Sequence, residues 1–183
     1  MPTSRRQDLE KFYYQNKLPD VEILIDNVWD PHNVAAICRS CDGFGIKKIN
    51  LYYTHNQFPD LEKDGKKSSS SSIKWLEFEK IINLEKWVKA KKSENFKFYG
   101  THLQRKAKLL TETKFTDKII LIVGSEKDGM ADEVSEICDE FIYINMVGMV
   151  ESFNVSVASS LCLYEIFRQK GEGLVLRKDN PCL

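Results

Sequence analysis

The pattern of apolar positions along the chain predicts short strands that alternate with helices. Five runs are rich in β-branched and aromatic residues and are bounded by polar or turn residues, which is typical of buried strands. These runs are VEILID at 21–26, KKINLYY at 47–53, FKFYGTH at 96–102, KIILIVG at 118–124 and EFIYIN at 140–145. Because helical segments separate the strands, we expect an α/β fold with a mostly parallel sheet that is flanked by helices.

Helical periodicity fills most of the intervals between these strands. The predicted helices are a segment at about 1–18, a helix that has Asn33 as its N-cap and ends at Gly43 or Gly45, and helices at 84–91, 132–137 and 153–167. The helix at 153–167 is apolar on almost every face, which indicates burial in the core or against a second subunit. We expect a single domain over residues 1–183, with the segment at about 1–18 as a short helical extension.

Composition narrows the class of protein. At 183 residues, of which 42% are hydrophobic and 30% charged, the chain is long enough to bury a sizeable core. Its 27 basic and 27 acidic residues cancel, so any nucleic-acid contact must use local patches. Five cysteines are an odd number without framework spacing, which favours a reducing compartment. No apolar run is long enough to span a bilayer, and we expect a cytoplasmic protein without a membrane partner.

Several familiar kinds of site are disfavoured by the motifs. The run GSEKDG at 124–129 has the glycine spacing of a P-loop but lacks the lysine that should follow it. The pair CRSC at 38–41 lies inside a predicted helix, so two small core cysteines are favoured over a redox or metal pair. His32, His55 and His102 are scattered along the chain, and we expect no metal site.

One low-complexity segment, KDGKKSSSSSIKW at 63–75, contains five consecutive serines. It lies between the second predicted strand and the helix at 84–91, and its composition predicts an exposed loop. Two interpretations stay open at this point. The segment is either a solvated linker or a mobile loop that grips a substrate.

Three polar clusters follow predicted strands. They are DPHNVAAICRSCDGFG at 30–45, VGSEKDGM at 123–130 and MVGMVESFNVSVASSLCLYE at 146–165. Ligands of parallel α/β sheets bind at the carboxyl ends of the strands, so the clusters are candidates for one site. Arg39 lies among small and apolar neighbours, and burial of its guanidinium implies an anionic partner such as a phosphate. Simpler interpretations exist, since Asn33 is a plausible cap of its helix, Glu126 a first-turn charge, and Ser152 with Asn154 plausible caps of the last helix.

The three clusters resemble the three motifs of the SpoU/TrmH branch of the SPOUT methyltransferases, and the similarity covers nearly the whole chain, from residue 18 to residue 170. Members of this branch transfer a methyl group from S-adenosylmethionine to a ribose 2'-hydroxyl of RNA. The chain is most similar to members that modify a tRNA guanosine at position eighteen of the D-loop. The resemblance implies S-adenosylmethionine as cofactor, tRNA as partner, a C-terminal deep trefoil knot, and a homodimer through the knot region.

The resemblance also implies roles for individual residues. The catalytic set is Arg39, Asn33, Glu126, Ser152 and Asn154, and the cofactor-binding set is Thr101, Gly124, Ile144, Met146, Gly148 and Phe153. Arg39 would stabilise the developing alkoxide, because an arginine is effectively always protonated in proteins. Gly148 would permit a close approach to the cofactor that a Cβ would block. No metal is implied.

RNA contact would have to come from local positive charge. The candidates are Arg5, Arg6, Lys11, Lys66, Lys67, Lys74 and Arg105, with Lys106 and Lys108 near the last of them. Each cluster taken alone is more typical of a solvated face than of a phosphate clamp. Together they could form a salt-dependent surface for tRNA despite the zero net charge.

Alternatives remain for the function. The same chemistry could act on another tRNA position or on ribosomal RNA, because specificity lies in surface loops. A non-catalytic RNA-binding module on the same fold is a further alternative, favoured by Asn145, where the family usually has proline. The presence of Arg39, Glu126, Ser152 and Asn154 favours the enzyme.

Overall fold

A seven-stranded sheet forms the centre of the molecule. The computed structural model describes residues 11–12, 15, 17–59, 73–102, 106–125 and 127–174. The strands are β1 (Val21–Asp26), β2 (Lys48–Tyr52), β3 (Glu77–Ile81), β4 (Phe96–Thr101), β5 (Lys108–Leu109), β6 (Lys118–Val123) and β7 (Glu140–Tyr143). They lie in the order β3-β2-β1-β6-β4-β7-β5, and every neighbouring pair is parallel. The predicted α/β class is therefore confirmed.

Helices cover both faces of the sheet. They are α1 (Pro31–Gly43), α2 (Leu84–Ser93), α3 (Asp132–Glu136) and α4 (Val155–Lys170), with short 3-10 turns at Ile73–Trp75 and Leu110–Glu112. Alternate residues of the central strand β6 enter two separate cores, because successive side chains of a strand point to opposite faces. Leu121 packs in one core with α1 and α4, and Ile122 in the other with α2 and α3.

Two of the strands were not predicted, although all five predicted strands are present. The missed strand β3 lies at one edge of the sheet and is half-exposed, so its sequence EFEKI carries three charges and no continuous apolar run. The missed strand β5 is only two residues long and lies at the other edge. Edge strands face solvent on one side and therefore give a weak apolar signal.

The start of α1 differs from the prediction. Asp30, and not Asn33, is the N-cap, since its carboxylate accepts a hydrogen bond from the backbone N–H of His32 at 2.8 Å. Pro31 follows as the first helical residue, a position where the missing N–H of proline has no consequence. Asn33 is consequently the third residue of the helix, and its side chain makes a contact outside α1, with Asn154. The helix ends at Gly43, as predicted.

The predicted N-terminal helical extension is described at three positions. Lys11, Phe12 and Gln15 are helical, and Lys11 is exposed. Most of the serine-rich segment at 63–75 lies outside the described residues, so its two interpretations stay open. Within the described ranges, no helix combines the length and the apolar character that a membrane crossing requires.

Candidate active site

A cavity of about 390 Å³ opens at the carboxyl ends of β4, β6 and β7. Its lining comes from the ends of β4 and β6 (Thr101, His102, Gly124, Ser125, Gly129), from the end of β7 and the following loop (Ile142, Tyr143, Ile144, Met146, Glu151, Ser152, Phe153, Asn154) and from α4 (Val155, Ala158, Cys162). Residues from the second and third polar clusters of the sequence therefore meet in one place. This is the position that the parallel sheet predicts for a ligand.

The turn after β6 forms one wall of the cavity. Ser125 and Gly129 exchange two backbone hydrogen bonds of 2.8 and 3.0 Å, and Gly129 has a φ of 73°. A Cβ on Gly124 would lie only 2.4 Å from the backbone carbon of Gly129. Position 124 therefore requires glycine, because any side chain would force two backbone segments apart. Glu126, predicted to be catalytic, follows Ser125 in the sequence and lies outside the described residues.

A buried carboxyl group lies beneath the same turn. Asp26 closes β1 and is completely buried; one oxygen accepts a hydrogen bond from the backbone N–H of Ala131 at 2.7 Å, and the other accepts one from the Asn27 amide at 2.8 Å. Burial raises the pKa of Asp26 above its usual range. Asp26 is not among the residues that the sequence predicts for the site. Its one signal in the sequence is a charged residue that directly follows the apolar run of β1.

The end of β4 forms a second wall. The hydroxyl of Thr101 donates a hydrogen bond to the carbonyl of Ile122 at 3.0 Å, which braces β4 against β6. The backbone N–H of His102 donates to the carbonyl of Ile142 at 3.2 Å. The sequence presents His102 as one of three scattered histidines, yet the residue is exposed and lines the cavity. This position of His102 follows from the strand order, which places the end of β4 between the ends of β6 and β7.

Asn154 connects the cavity to α1. Its side-chain nitrogen donates a hydrogen bond to the side-chain oxygen of Asn33 at 3.1 Å. Its oxygen accepts from the backbone N–H of Ser156 at 2.9 Å and so caps α4. Further along the two helices, the hydroxyls of Ser40 and Ser160 lie 2.7 Å apart. The first and third polar clusters of the sequence are thus held together by direct hydrogen bonds between helices.

The loop between β7 and α4 supplies the remaining predicted residues. Ile144 and Met146 are half-buried in the lining, and Ser152 and Phe153 are exposed there. Gly148 is different, because it lies outside the lining and a Cβ built on it would meet nothing within 4 Å. The space beside Gly148 is therefore free of protein atoms, and its predicted close approach to the cofactor stays a prediction, whereas Gly124 is crowded by the protein chain itself.

Arg39 is exposed, which corrects the expectation of a buried guanidinium. The side of α1 that faces α4 carries Asn33 and Ser40, whereas Arg39 lies six residues beyond Asn33 and projects from a different side of the helix. It does not line the cavity. Burial therefore gives no reason to assign an anionic partner to Arg39.

The positively charged candidates are only partly described. Lys11 and Lys74 are exposed, and so is Lys106. Lys108 is exposed as well, but its ammonium donates a hydrogen bond to the carboxylate of Glu140 at 2.8 Å. This negative partner weakens the attraction of Lys108 for a phosphate. Arg5, Arg6, Lys66, Lys67 and Arg105 lie outside the described residues.

The cysteines of the described chain are unsuited to thiolate chemistry. Cys38 and Cys41 are both buried on α1, and burial raises the pKa of Cys38 to about 12. Cys162 borders the cavity, and burial raises its pKa to about 12 as well. Thiols of this kind stay protonated at neutral pH. In the described ranges, no group of three or more His, Cys, Asp or Glu side chains could hold a metal ion.

Comparison with known proteins places this architecture among RNA-modifying enzymes. The chain matches the SpoU rRNA Methylase family over residues 20–164. It is 35% identical over 173 residues to a tRNA (guanosine(18)-2'-O)-methyltransferase of Aquifex aeolicus (strain VF5), a match that covers 91% of this chain and 75% of that protein.

Two solved structures are similar. The TrmH/SpoU tRNA modifying enzyme of A. aeolicus has a TM-score of 0.80 and 30% identity, and the match covers 92% of this chain and 84% of that one. The SpoU methyltransferase AviRb of Streptomyces viridochromogenes, in complex with the cofactor AdoMet, has a TM-score of 0.73 and 25% identity, with coverage of 87% and 62%. Because sequence and structure agree over most of its length, the chain belongs to the SpoU rRNA Methylase family.

Proposed function

We propose that this protein transfers the methyl group of S-adenosylmethionine to the ribose 2'-hydroxyl of a guanosine in tRNA, at position eighteen of the D-loop. The observation that carries the proposal is the cavity at the strand ends, with the Asn154 to Asn33 hydrogen bond at its border. The choice of tRNA is supported by the similarity to the A. aeolicus tRNA methyltransferase. A tRNA substrate also supports a cytoplasmic location.

The cavity fits a cofactor of this size and chemistry. Its volume of about 390 Å³ lies within the range of about 300 to 1,000 Å³ that is common for small-molecule sites. Ile144, Met146 and Phe153 offer apolar surface for a flat base, and Thr101 also lines the cavity. Gly124 keeps the turn free of side-chain bulk. These residues would hold S-adenosylmethionine, which supplies an electrophilic methyl group when bound.

The polar residues at the border of the cavity would hold the acceptor ribose. A 2'-hydroxyl is a weak nucleophile, so negative charge on its oxygen must be stabilised as its proton leaves. We assign this stabilisation to the guanidinium of Arg39, with the proton passing to water, because an arginine does not act as a base. Asn33, Asn154, Ser152 and Glu126 would orient the ribose, and positioning of this kind supplies much of the acceleration in transfer reactions.

A homodimer is part of the proposal. Val157, Leu161 and Tyr164 are exposed by 47, 40 and 53%, and their spacing places them on one side of α4. Val147 and Met149, in the loop before α4, are fully exposed. An apolar stripe of this kind is stable in water when another surface covers it. A second copy of the chain, packed symmetrically on α4, would cover it and would bring Arg39 of one subunit toward the site of the other.

A C-terminal trefoil knot is also proposed. The chain leaves β7, which lies between β4 and β5, and returns to α4, which packs against α1. The loop between β7 and α4 lies at the ends of β4 and β6, where it lines the same cavity, and the knot would form if the chain passes through the loop there. Stretching the chain from both ends tests the knot, since a knotted chain is shorter at full extension than about 3.3–3.6 Å per residue allows.

The methylation experiment separates the candidate substrates. Unmodified tRNA is incubated with the protein and S-adenosylmethionine, digested, and examined by mass spectrometry for 2'-O-methylguanosine. We expect the modification at position eighteen, and a matched tRNA with a 2'-deoxyguanosine at that position should remain unmethylated. Methylation of the deoxy control, or of neither tRNA, would contradict the proposal.

Ribosomal RNA is the second candidate substrate, because the family description names rRNA methylation. The same incubation with unmodified ribosomal RNA tests this candidate. A 2'-O-methylated nucleoside in ribosomal RNA together with unmodified tRNA would replace the tRNA assignment and leave the reaction type unchanged.

A further inference from the structure

Asp26 combines complete burial with two hydrogen bonds that reach different parts of the chain. Its Oδ2 accepts from the backbone N–H of Ala131, which is 105 residues away, and its Oδ1 accepts from the side chain of Asn27. Burial of a carboxylate costs free energy unless its oxygens are hydrogen-bonded. These two hydrogen bonds therefore offset the cost of burying the charge of Asp26. The proposed reaction assigns no role to this group.

The first bond fixes the wall of the cavity formed by the turn after β6. Ala131 ends the turn that begins at Gly124, and within it Gly124 and Gly129 are already in close backbone contact. The turn has no covalent link to β1, and Asp26 supplies the hydrogen bond that holds its far end against that strand. Loss of this bond would free the segment that carries Ser125 and Gly129 into the cavity.

The second bond orients Asn27, which has a φ of 50° and connects β1 to the loop after β2. The side-chain oxygen of Asn27 accepts hydrogen bonds from the backbone N–H groups of Thr54 and His55, both at 3.0 Å. Its side-chain nitrogen, which donates to Asp26, is thereby turned toward the carboxylate. Both donors that face Asp26 are N–H groups, and a carboxylate accepts from both without presenting a hydrogen of its own.

We propose that Asp26 is a positioning residue that holds the turn between Gly124 and Ala131 in the conformation needed for cofactor binding. The identity of the cofactor rests on the proposed function, whereas the effect of Asp26 on the order of the turn does not. An asparagine at position 26 keeps the size of the side chain, but its NH₂ group would have to face one of the two N–H donors. One buried donor would then be left unpaired, which loosens the turn.

The experiment compares Asp26→Asn with Glu22→Gln. Glu22 is the matched control, because it is also a buried carboxylate on β1 and accepts from Lys91 at 2.6 Å and Asn50 at 2.9 Å, at the opposite end of the strand. Trypsin cleavage after the exposed Lys127, which lies in the turn, is followed by mass spectrometry together with hydrogen exchange of the Ala131 amide. S-adenosylmethionine affinity is measured by calorimetry.

In Asp26→Asn we expect faster cleavage after Lys127, faster exchange at Ala131 and an affinity for S-adenosylmethionine weaker by about tenfold. Glu22→Gln should change none of these. If Asp26→Asn behaves like the wild type in all three measurements, or if both variants change equally, the proposal is overturned. If the wild type binds no S-adenosylmethionine, the proposed function fails, and cleavage and exchange still decide the role of Asp26.

A second variant covers the case in which Asp26→Asn does not fold. Ala131→Pro removes the backbone N–H group that donates a hydrogen bond to Asp26, and the φ of −59° at Ala131 suits proline. It should reproduce the faster cleavage after Lys127 with Asp26 intact. Wild-type cleavage in a folded Ala131→Pro protein would also overturn the proposal.

Discussion

The side-chain amide of Asn154 donates a hydrogen bond to Asn33 at 3.1 Å while its oxygen caps α4. One side chain therefore serves the fold through its oxygen and the proposed ribose site through its nitrogen. Substitutions can remove the two contributions separately, because carboxylates are also good helix caps.

Asp at position 154 tests the nitrogen alone. Asn154→Asp keeps the cap and loses the donor to Asn33, so we expect the free energy of unfolding to change by less than about 0.5 kcal/mol while turnover falls. Asn154→Ala loses both the cap and the donor, and it should lower the free energy of unfolding by about 1 kcal/mol more than Asn154→Asp does. Chemical denaturation and single-turnover methylation measure the two effects. Normal turnover in Asn154→Asp would remove the Asn33 contact from the mechanism.

Two glycines of the site region should respond oppositely to alanine. Gly124→Ala places a Cβ 2.4 Å from the Gly129 backbone, and we expect a loss of about 1–3 kcal/mol in unfolding free energy together with weaker cofactor binding. Gly148→Ala meets open space at a φ outside the left-handed region, so stability should be unchanged or higher by about 0.4–1 kcal/mol. Thermal melts of the two variants side by side provide the measurement. Equal destabilisation would show that the turn relaxes around Gly124.

Arg39→Lys separates catalysis from folding. The residue is exposed, so the melting temperature should stay the same, while the loss of the planar guanidinium should lower the single-turnover rate by about 10²-fold. Calorimetry should give an unchanged affinity for S-adenosylmethionine, since Arg39 does not line the cavity. A variant with a normal single-turnover rate would leave Asn33, Ser152 and Asn154 as the better candidates.

The proposed dimer depends on the exposed stripe of α4. Leu161→Lys places a charge in that stripe, and we expect the dimer dissociation constant to rise tenfold or more, by roughly the cost of burying an unpaired charge. Ile82→Lys is the control, because Ile82 is an exposed apolar residue between β3 and α2. Light scattering after size-exclusion chromatography measures the mass. Equal behaviour of the two variants would place the dimer contact elsewhere on the molecule.

The buried carboxyl group of Asp26 should leave a signature in the pH dependence of stability. Its folded-state pKa is raised above 3.8, so between that value and the raised pKa the folded protein binds more protons than the unfolded chain. The unfolding free energy of the wild type, relative to Asp26→Asn, should therefore fall as pH rises through this window and then level off. Urea unfolding of both proteins across the window measures the difference. An increase with pH would mean that the hydrogen bonds outweigh desolvation.

Four of the strands that the sequence predicts, β1, β2, β4 and β6, are buried at most positions and form apolar runs, whereas β7 is buried at one of its four positions and is predicted from its β-branched and aromatic residues. β1 is buried at all six positions, whereas the missed β3 is buried at one of five. The site was predicted in part for a similar reason. Ser152 and Asn154 stand out as polar residues before an apolar helix, but the role of Asp26 depends on Ala131, and no local pattern links residues 105 positions apart.

The exposure of Arg39 illustrates another limit of sequence reasoning. Six residues along a helix are close to two turns in length but leave a rotation of about 120° between side chains. Asn33 therefore faces α4 while Arg39 does not.

The predicted N-cap of α1 is wrong for a different reason. Asn33 and Asp30 both have side chains that suit an N-cap, and Pro31 is the signal that decides between them, because proline is favoured at the first helical position.

The pairing of β1 with β6 has a consequence for biosynthesis. β1 is made early but gains its second neighbour only after about a hundred further residues have left the ribosome, since Ile25 pairs with Val123. Until then, the nascent chain presents an apolar strand with an open edge, which is a template for aggregation. The cavity is completed still later, when α4 emerges, so a partly synthesised chain cannot be rescued by its ligand.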